Sequence, residues 1–421
     1  MKESVSFLIN NLLKKGLLLA IIFTFVATSF AQEGDKKDVR YGGFARIYSM
    51  GDNPYIIDPD NVKYNTAYSS VYSNFLWGDI GSTAASLDDG FGQFIAFNYR
   101  VSKEFTIGAM LSRNDFSSGN IASPYANDLV SQINYNVTGA AIVPLDNNFE
   151  LLTAYSFGNF VIGLGASYAS TTNDFTPATG TGNKNGASQF GVNLGILGKL
   201  TPQFNLDAAF SLVLPSAKFT PGTGDVVEAS GTYMMANARG FLKLSKAFTL
   251  VPTLSFANQS GSFSVGSQSF DFPSMMSFGV GIGLSYQVEN VIISGGPALM
   301  FESTTTPADP NASQPELKDS RFVFPAWNFG AEWFLTDWLI GRLGYVASTF
   351  SQTTQTAASS TTVNERTRTN FGRGDIRLGV GFRFGSFSLD ATVNDDILRE
   401  GFRIVGGPNN TFAYLSASFA F

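Results

Sequence analysis

The sequence predicts an all-β fold, a transmembrane antiparallel β-barrel of about sixteen strands, with fourteen as the alternative count. Three observations predict it: strict alternation of polar and apolar residues, tight turns set against long loops, and a composition poor in charge. The alternation is clearest in Asp375–Phe384. Its even positions, Ile376, Leu378, Val380, Phe382 and Phe384, are apolar, and its odd positions, Asp375, Arg377, Gly379, Gly381 and Arg383, are charged or small. After Gly385-Ser386 the pattern resumes, with Phe387, Leu389, Ala391 and Val393 opposite Ser388, Asp390, Thr392 and Asn394. A period of two places successive side chains on opposite faces of a strand. Soluble sandwiches rarely set Asp and two Arg on one strand face against an unbroken apolar face. A membrane barrel requires that pattern, apolar to lipid and polar to the lumen, in strands of about 9–11 residues.

Composition narrows the function classes. Charged residues make up 14% of the 421, and Phe numbers 40 against 15 Tyr and 4 Trp, which suits a lipid-facing surface. The 43 Gly suit turns and a lumen lined by small side chains. The net charge is −6 and no basic cluster is present to neutralise phosphates, so nucleic acid is not an expected partner. Cysteine is absent, which excludes disulfides, an N-terminal lipidated Cys and thiolate metal sites. Histidine is absent as well, removing Ser-His-Asp triads and His bases or ligands. With no paired-carboxylate or Gly-rich phosphate motif either, no enzyme, catalytic residue, metal ligand or cofactor is expected.

Residues 1–31 read as an export signal: Lys14 and Lys15 precede an apolar run, Gly16 to Phe30, and Ser29-Phe30-Ala31 supplies the small residues for cleavage. Residues 32–68 are not strand-like and form a leader followed by a hatch or a periplasmic segment. A first strand is expected within Ser69–Gly81, opening one barrel domain over residues 69–421. Seven hairpins follow, with tight turns at Val101–Glu104, Gly158-Asn159, Thr201–Gln203, Ser245–Ala247, Glu289-Asn290, Thr336-Asp337 and Gly385-Ser386. A last strand ends at Phe421. The opposite connections, Asn114–Asn148, Thr171–Gly186, Glu302–Ser320 and Ser351–Thr369, are long and rich in Thr, Ser, Asn and Gly. Short turns on one rim and long loops on the other are the asymmetry of barrels of the Gram-negative outer membrane.

Carrying the phase through the strands gives the lumen-facing candidates Arg100, Asn193, Asp207, Asn237, Arg239, Lys243, Asn328, Glu332, Arg342, Asp375, Arg377, Arg383 and Asp390. Ile95, Phe97, Ile107, Leu194, Phe210, Leu254, Phe329 and Leu343 fall on the lipid face. Two readings of the lumen charges stand. Arg239, Lys243, Arg342, Arg377 and Arg383 create a field for anionic solutes, or they pair with Asp207, Glu332, Asp375 and Asp390 to tie strands or hold a plug; pairing is the more common use of buried charge. The inward column Gly279, Gly281, Gly283 and Ser285 either leaves room or permits curvature, and curvature is the expectation. Trp77, Tyr99, Trp327, Trp333, Trp338 and Tyr345 are assigned to interfacial aromatic girdles.

The segment Arg46-Ile-Tyr-Ser-Met-Gly51, then Asp58-Pro-Asp60 and Tyr64-Asn-Thr-Ala67, resembles the hatch of FadL-type outer-membrane transporters and of the related PorV-type barrels. Thr66 stands where the family pattern has Pro, and the family barrel has fourteen strands. The resemblance implies a hatch that includes Arg46, Met50, Gly51, Asp58, Asn65 and Ala67. It implies passage of small or hydrophobic molecules, or, on the PorV side, docking of secreted or surface proteins through Asn114–Asn148 or Ser351–Thr369. A purely structural barrel with fully paired charges is the third expectation. The expected partners are outer-membrane lipid and the barrel-assembly machinery, read through Phe421.

Overall fold

The structure, a computed structural model, describes residues 41–81, 94–113, 120–309, 314–372, 374–393 and 412–421. The expected signal at 1–31 and leader at 32–40 lie outside the described residues. Residues 41–419 form one compact unit.

Every neighbouring pair of strands is antiparallel, and the order follows the chain. β1 (Phe75–Gly81) pairs with β2 (Phe94–Arg100) on one side and with β18 (Phe412–Ala420) on the other, which closes the ring. Between them run β3 (Phe105–Arg113), β4 (Asn147–Phe157), β5 (Phe160–Thr172), β6 (Lys184–Lys199), β7 (Phe204–Thr220), β8 (Val227–Lys243) and β9 (Phe248–Val265). The second half holds β10 (Gln268–Asp271), β11 (Ser274–Val288), β12 (Val291–Thr306), β13 (Leu317–Phe334), β14 (Leu339–Ala357), β15 (Val363–Phe371), β16 (Asp375–Phe384) and β17 (Phe387–Val393). β9 pairs along most of its length with β11 and at its end with β10. β14 likewise pairs first with β16 and then with β15. Each of these couples serves as one interrupted wall strand, so the eighteen strands fill sixteen positions of a closed barrel.

The two faces of the wall differ as the alternation requires. Ile95, Ile107, Leu194, Phe210, Leu254, Phe329 and Leu343 are all exposed, and they belong to a band of large apolar side chains around the outside. Such a surface is far larger than a soluble protein leaves bare, and lipid is the solvent that accepts it. Asn193, Glu332, Asp390 and their neighbours are buried on the inside. Among the described residues no helix is long and apolar enough to cross a membrane.

Three features depart from expectation. Strands β6 to β9 and β11 to β14 are long, with β14 reaching 19 residues, and most of Ser351–Thr369 is an extended β14–β15 arm rather than a loop. Beyond the lipid both faces of a strand meet water, so the apolar alternation that marks a strand disappears while Thr still favours extended backbone. Within Asn114–Asn148 lies an α-helix, Ala126–Asn136, whose Ala126, Leu129, Val130 and Ile133 form a buried stripe among Asn, Gln and Ser. Finally, the irregular N-terminal segment runs on to Asn74, and β1 carries Phe75 and Trp77 inward. Trp77 is 1% exposed, packed between the Phe75 and Phe94 rings, so it is not a girdle residue. The inner face of β1 carries Phe75, Trp77 and Asp79 because it beds the segment before it.

Candidate functional site

Residues 41–74 fold inside the barrel, toward the rim with the tight turns. The segment consists of helix α1 (Phe44–Ser49) and two 3-10 helices, Pro59–Lys63 and Thr66–Ser69. Local sequence explains each. Asp58 caps the first 3-10 helix in a reciprocal capping box with Asn61, with Pro59 at its first position. Asn65 caps the second through the amide of Ala67. Between α1 and these helices the chain reverses through Gly51 and Asp52, both with positive φ. α1 packs on β14, β16 and β17, and the second 3-10 helix packs on β3 to β6.

The wall makes room for this hatch with glycine. A Cβ at Gly283 would overlap the Tyr55 ring, one at Gly163 the backbone of Ala67, and one at Gly195 the side chain of Asn65. Gly330 lies against Met50 in the same way, and Gly344 against Gly51. Gly281 and Gly283 of the inward column are therefore a bed for Tyr55, which replaces their expected role in curvature, whereas Gly279 faces Ser255. Inward glycine at strand phase was the one sequence signal for the hatch footprint, and Tyr55 itself carried none.

Charge locks the hatch in place. Arg46 donates to both oxygens of Glu332 at 2.9 and 3.0 Å and pairs with Asp58 at 2.9 Å. Glu332 also receives Arg342 at 2.5 Å and the Tyr41 hydroxyl at 3.1 Å. Arg342 continues the chain to Asp390 at 2.7 Å, and Asp390 takes Arg383 at 2.8 Å. A second lock gathers around Asp207, which accepts from Asn65 at 2.6 Å, Tyr68 at 2.9 Å and Arg239 at 2.7 Å. Arg239 also donates to the carbonyls of Pro54 and Ile56. Asn193 bridges the Thr66 amide and the Tyr64 carbonyl, and Asn328 donates to the Gly51 carbonyl at 2.7 Å. Arg377 pairs with Asp52 at 2.5 Å and Asp375 at 2.7 Å. Lys63, over the Phe94 ring, pairs with Asp60 and with Asp79 of β1. The charges named above are therefore paired, in large part with the hatch, and among the described residues Arg239, Arg342, Arg377 and Arg383 offer no open field to an anion. Two candidates fall elsewhere. Arg100 and Lys243 lie exposed at strand ends on the tight-turn rim, where the inward phase runs out of lumen.

The opposite half of the lumen is covered from the long-loop rim. The helix at Ala126–Asn136, α2, packs with Ile142 and Leu145 against Ala169, Ala187, Ala217, Phe219, Val227 and Ala229 of the inner wall. A row of inward polar residues clamps the chain before it. Asn148 and Ser167 donate to the Ile121 carbonyl at 3.0 and 2.7 Å, Ser112 to Ala122 at 3.0 Å, and Gln189 to Ser123 at 2.7 Å. The Tyr125 ring lies 4.0 Å from that of Tyr233, whose hydroxyl donates to Asp128 at 3.2 Å. Loss of solvent raises the Asp128 carboxyl above its ordinary range, and the Tyr233 hydroxyl draws it part of the way back. Lid and hatch meet over Gly165, where a Cβ would touch both Thr66 and Ile121. Glu150 lies at the same junction, buried, with no hydrogen bond to either carboxylate oxygen among the described residues. Between α2 and β8–β11 a cavity of about 320 Å³ remains, lined by Asp128, Ser131, Gln132, Tyr233, Gln259 and Phe272 among others. Among the described residues no acidic group could hold a metal ion.

This arrangement defines a class: a closed barrel whose lumen holds an N-terminal hatch toward one rim and a helical lid toward the other. No family model matches the chain, and no curated protein matches it. Among solved structures it is similar to the toluene transporter TodX of Pseudomonas putida, at 11% identity and a TM-score of 0.38, covering 91% of this chain and 99% of that one. The Ralstonia pickettii toluene transporter TbuX aligns at 10% identity and a TM-score of 0.36, over 90% and 97% of the two chains. The FrpB iron transporter of Neisseria meningitidis aligns at 11% identity and 0.38, over 77% and 62%. At these scores the likeness decides neither family nor cargo, and the barrel rests on its own strand pairing.

Proposed function

We propose that this chain is an outer-membrane barrel of a Gram-negative cell that passes small solutes, hydrophobic ones included, and that its hatch is the gate. The observation that carries this reading is the way the lumen is filled. A barrel built only for structure can fill its interior with its own wall side chains. Here the wall gives up side chains at Gly163, Gly195, Gly283, Gly330 and Gly344, and the space goes to a separate segment held mainly by polar bonds. Such bonds can be exchanged for bonds to water at modest net cost, which suits a part that moves. The FadL-type hatch motif at residues 46–67 and the toluene transporters among the similar folds agree with this reading. Uptake into proteoliposomes tests it. Arg46→Ala, which removes the hatch cation shared by Glu332 of the wall and Asp58 of the hatch, is expected to raise the influx of a small neutral solute several-fold over the intact protein. Unchanged influx from a hatch that protease now reaches would overturn the gate.

A second reading, docking of secreted or surface proteins, is favoured by the β14–β15 arm, whose exposed Thr, Gln, Glu and Arg side chains stand beyond the apolar band. Asn114–Asn148 serves it less well, because much of that segment is folded into the mouth. Recognition of terminal Phe421 by the assembly machinery is part of the same proposal. Its deletion should lower the amount of folded barrel in the outer membrane while leaving total synthesis unchanged.

A further inference from the structure

The space left beneath the lid has a chemistry of its own. The cavity between α2 and β8–β11 presents the Asp128 carboxylate, the Ser131 hydroxyl and the Gln132 and Gln259 carboxamides, with the Phe272 ring along one wall. Neither Ser131 nor Gln259 has a side-chain hydrogen bond among the described residues, so both remain available. Phe272 lies against the backbone at Gly261, where a Cβ would come within 3.2 Å of its ring. No Lys or Arg lines the cavity.

We propose that this cavity is a binding site for a short neutral saccharide, taken up at the mouth before passage. The inference rests on the gated-passage reading and specifies its substrate class. Carboxamides and hydroxyls both donate and accept, as sugar hydroxyls do, and a carboxylate accepts from two neighbouring hydroxyls at once. The face of an aromatic ring is the negative end of its quadrupole and receives the C–H face of a sugar ring. A carboxylate with no cation beside it repels an anionic solute, which sets this mouth against free fatty acids.

Equilibrium dialysis of the full mature protein in detergent, with maltotriose and laurate as probes, tests the site. Maltotriose should be retained and laurate should not. Gln259→Ala and Gln132→Ala should each weaken retention about tenfold, and Phe272→Ala more, in protein that keeps the mobility of the folded barrel on an unheated gel. Gln132 sits on the exposed side of α2, so that variant reads the site even if a wall substitution harms folding. No retention of maltotriose, preference for laurate, or retention unaffected by all three substitutions overturns the proposal. Uptake into vesicles separates it from the passage reading. Retention without uptake supports the site and contradicts passage, whereas uptake without retention contradicts the site alone.

Discussion

At the scale of single residues, the inner wall is shaped by what is missing. Gly283 lets the Tyr55 ring lie on β11, so Gly283→Leu must push the hatch from its bed or strain the strand. The overpacking should cost about 1–3 kcal/mol. We expect it to appear as protease cleavage within residues 41–74 while the barrel itself stays folded. Glu150 makes the opposite case. A buried carboxylate with no donor is a cost that the fold carries. Glu150→Gln, which removes the charge and keeps the shape, should leave the temperature of unfolding unchanged or raise it, and a marked fall would show a partner that the geometry does not. The polar side of this scale was legible in the sequence, since Asp207, Glu332, Arg342 and Asp390 follow from phase alone. The hatch residues Asn53, Tyr55, Lys63 and Tyr68, which bond to the Ser294 and Pro297 carbonyls, to Asp79 and to Asp207, were not, because residues in an irregular segment have no period to be read.

At the scale of elements, the hairpins are where sequence and structure agree best. All seven tight turns lie between the strands they were expected to join, because alternation stops abruptly at Gly, Asn and charged pairs there. Strand ends on the other rim were not legible, since the arm of β14 and β15 has polar residues on both faces. Helix α2 escaped for a related reason: its buried stripe is four residues among polar neighbours and is apolar only against the small Ala of β5 to β8. That stripe is testable. Ile133→Ala removes a fully buried side chain from the lid contact and should loosen it by about 2–5 kcal/mol, read as faster hydrogen exchange through 126–136 with the strands unaffected. Exchange that rises equally in β5 to β8 would instead make α2 part of the barrel's own core.

At the scale of the whole molecule, two solvents explain the architecture. Lipid accepts the apolar outer band, closure of the ring pairs its first and last strands, and the interior is divided between a hatch bound by charge and a lid bound by apolar packing. The two halves differ in their strongest bonds. Breaking one buried ion pair by removing one partner typically costs about 3–5 kcal/mol, so the hatch holds tightly at rest and yields when its charges find other partners. The central claim is that the hatch closes an otherwise passable lumen. Single-channel conductance in a planar bilayer, comparing the intact mature protein with one lacking residues 41–74, tests it most directly. We predict a silent intact protein and stable open steps from the deletion. Stable steps from the intact protein, or silence from a deletion variant that is folded and inserted, would contradict it.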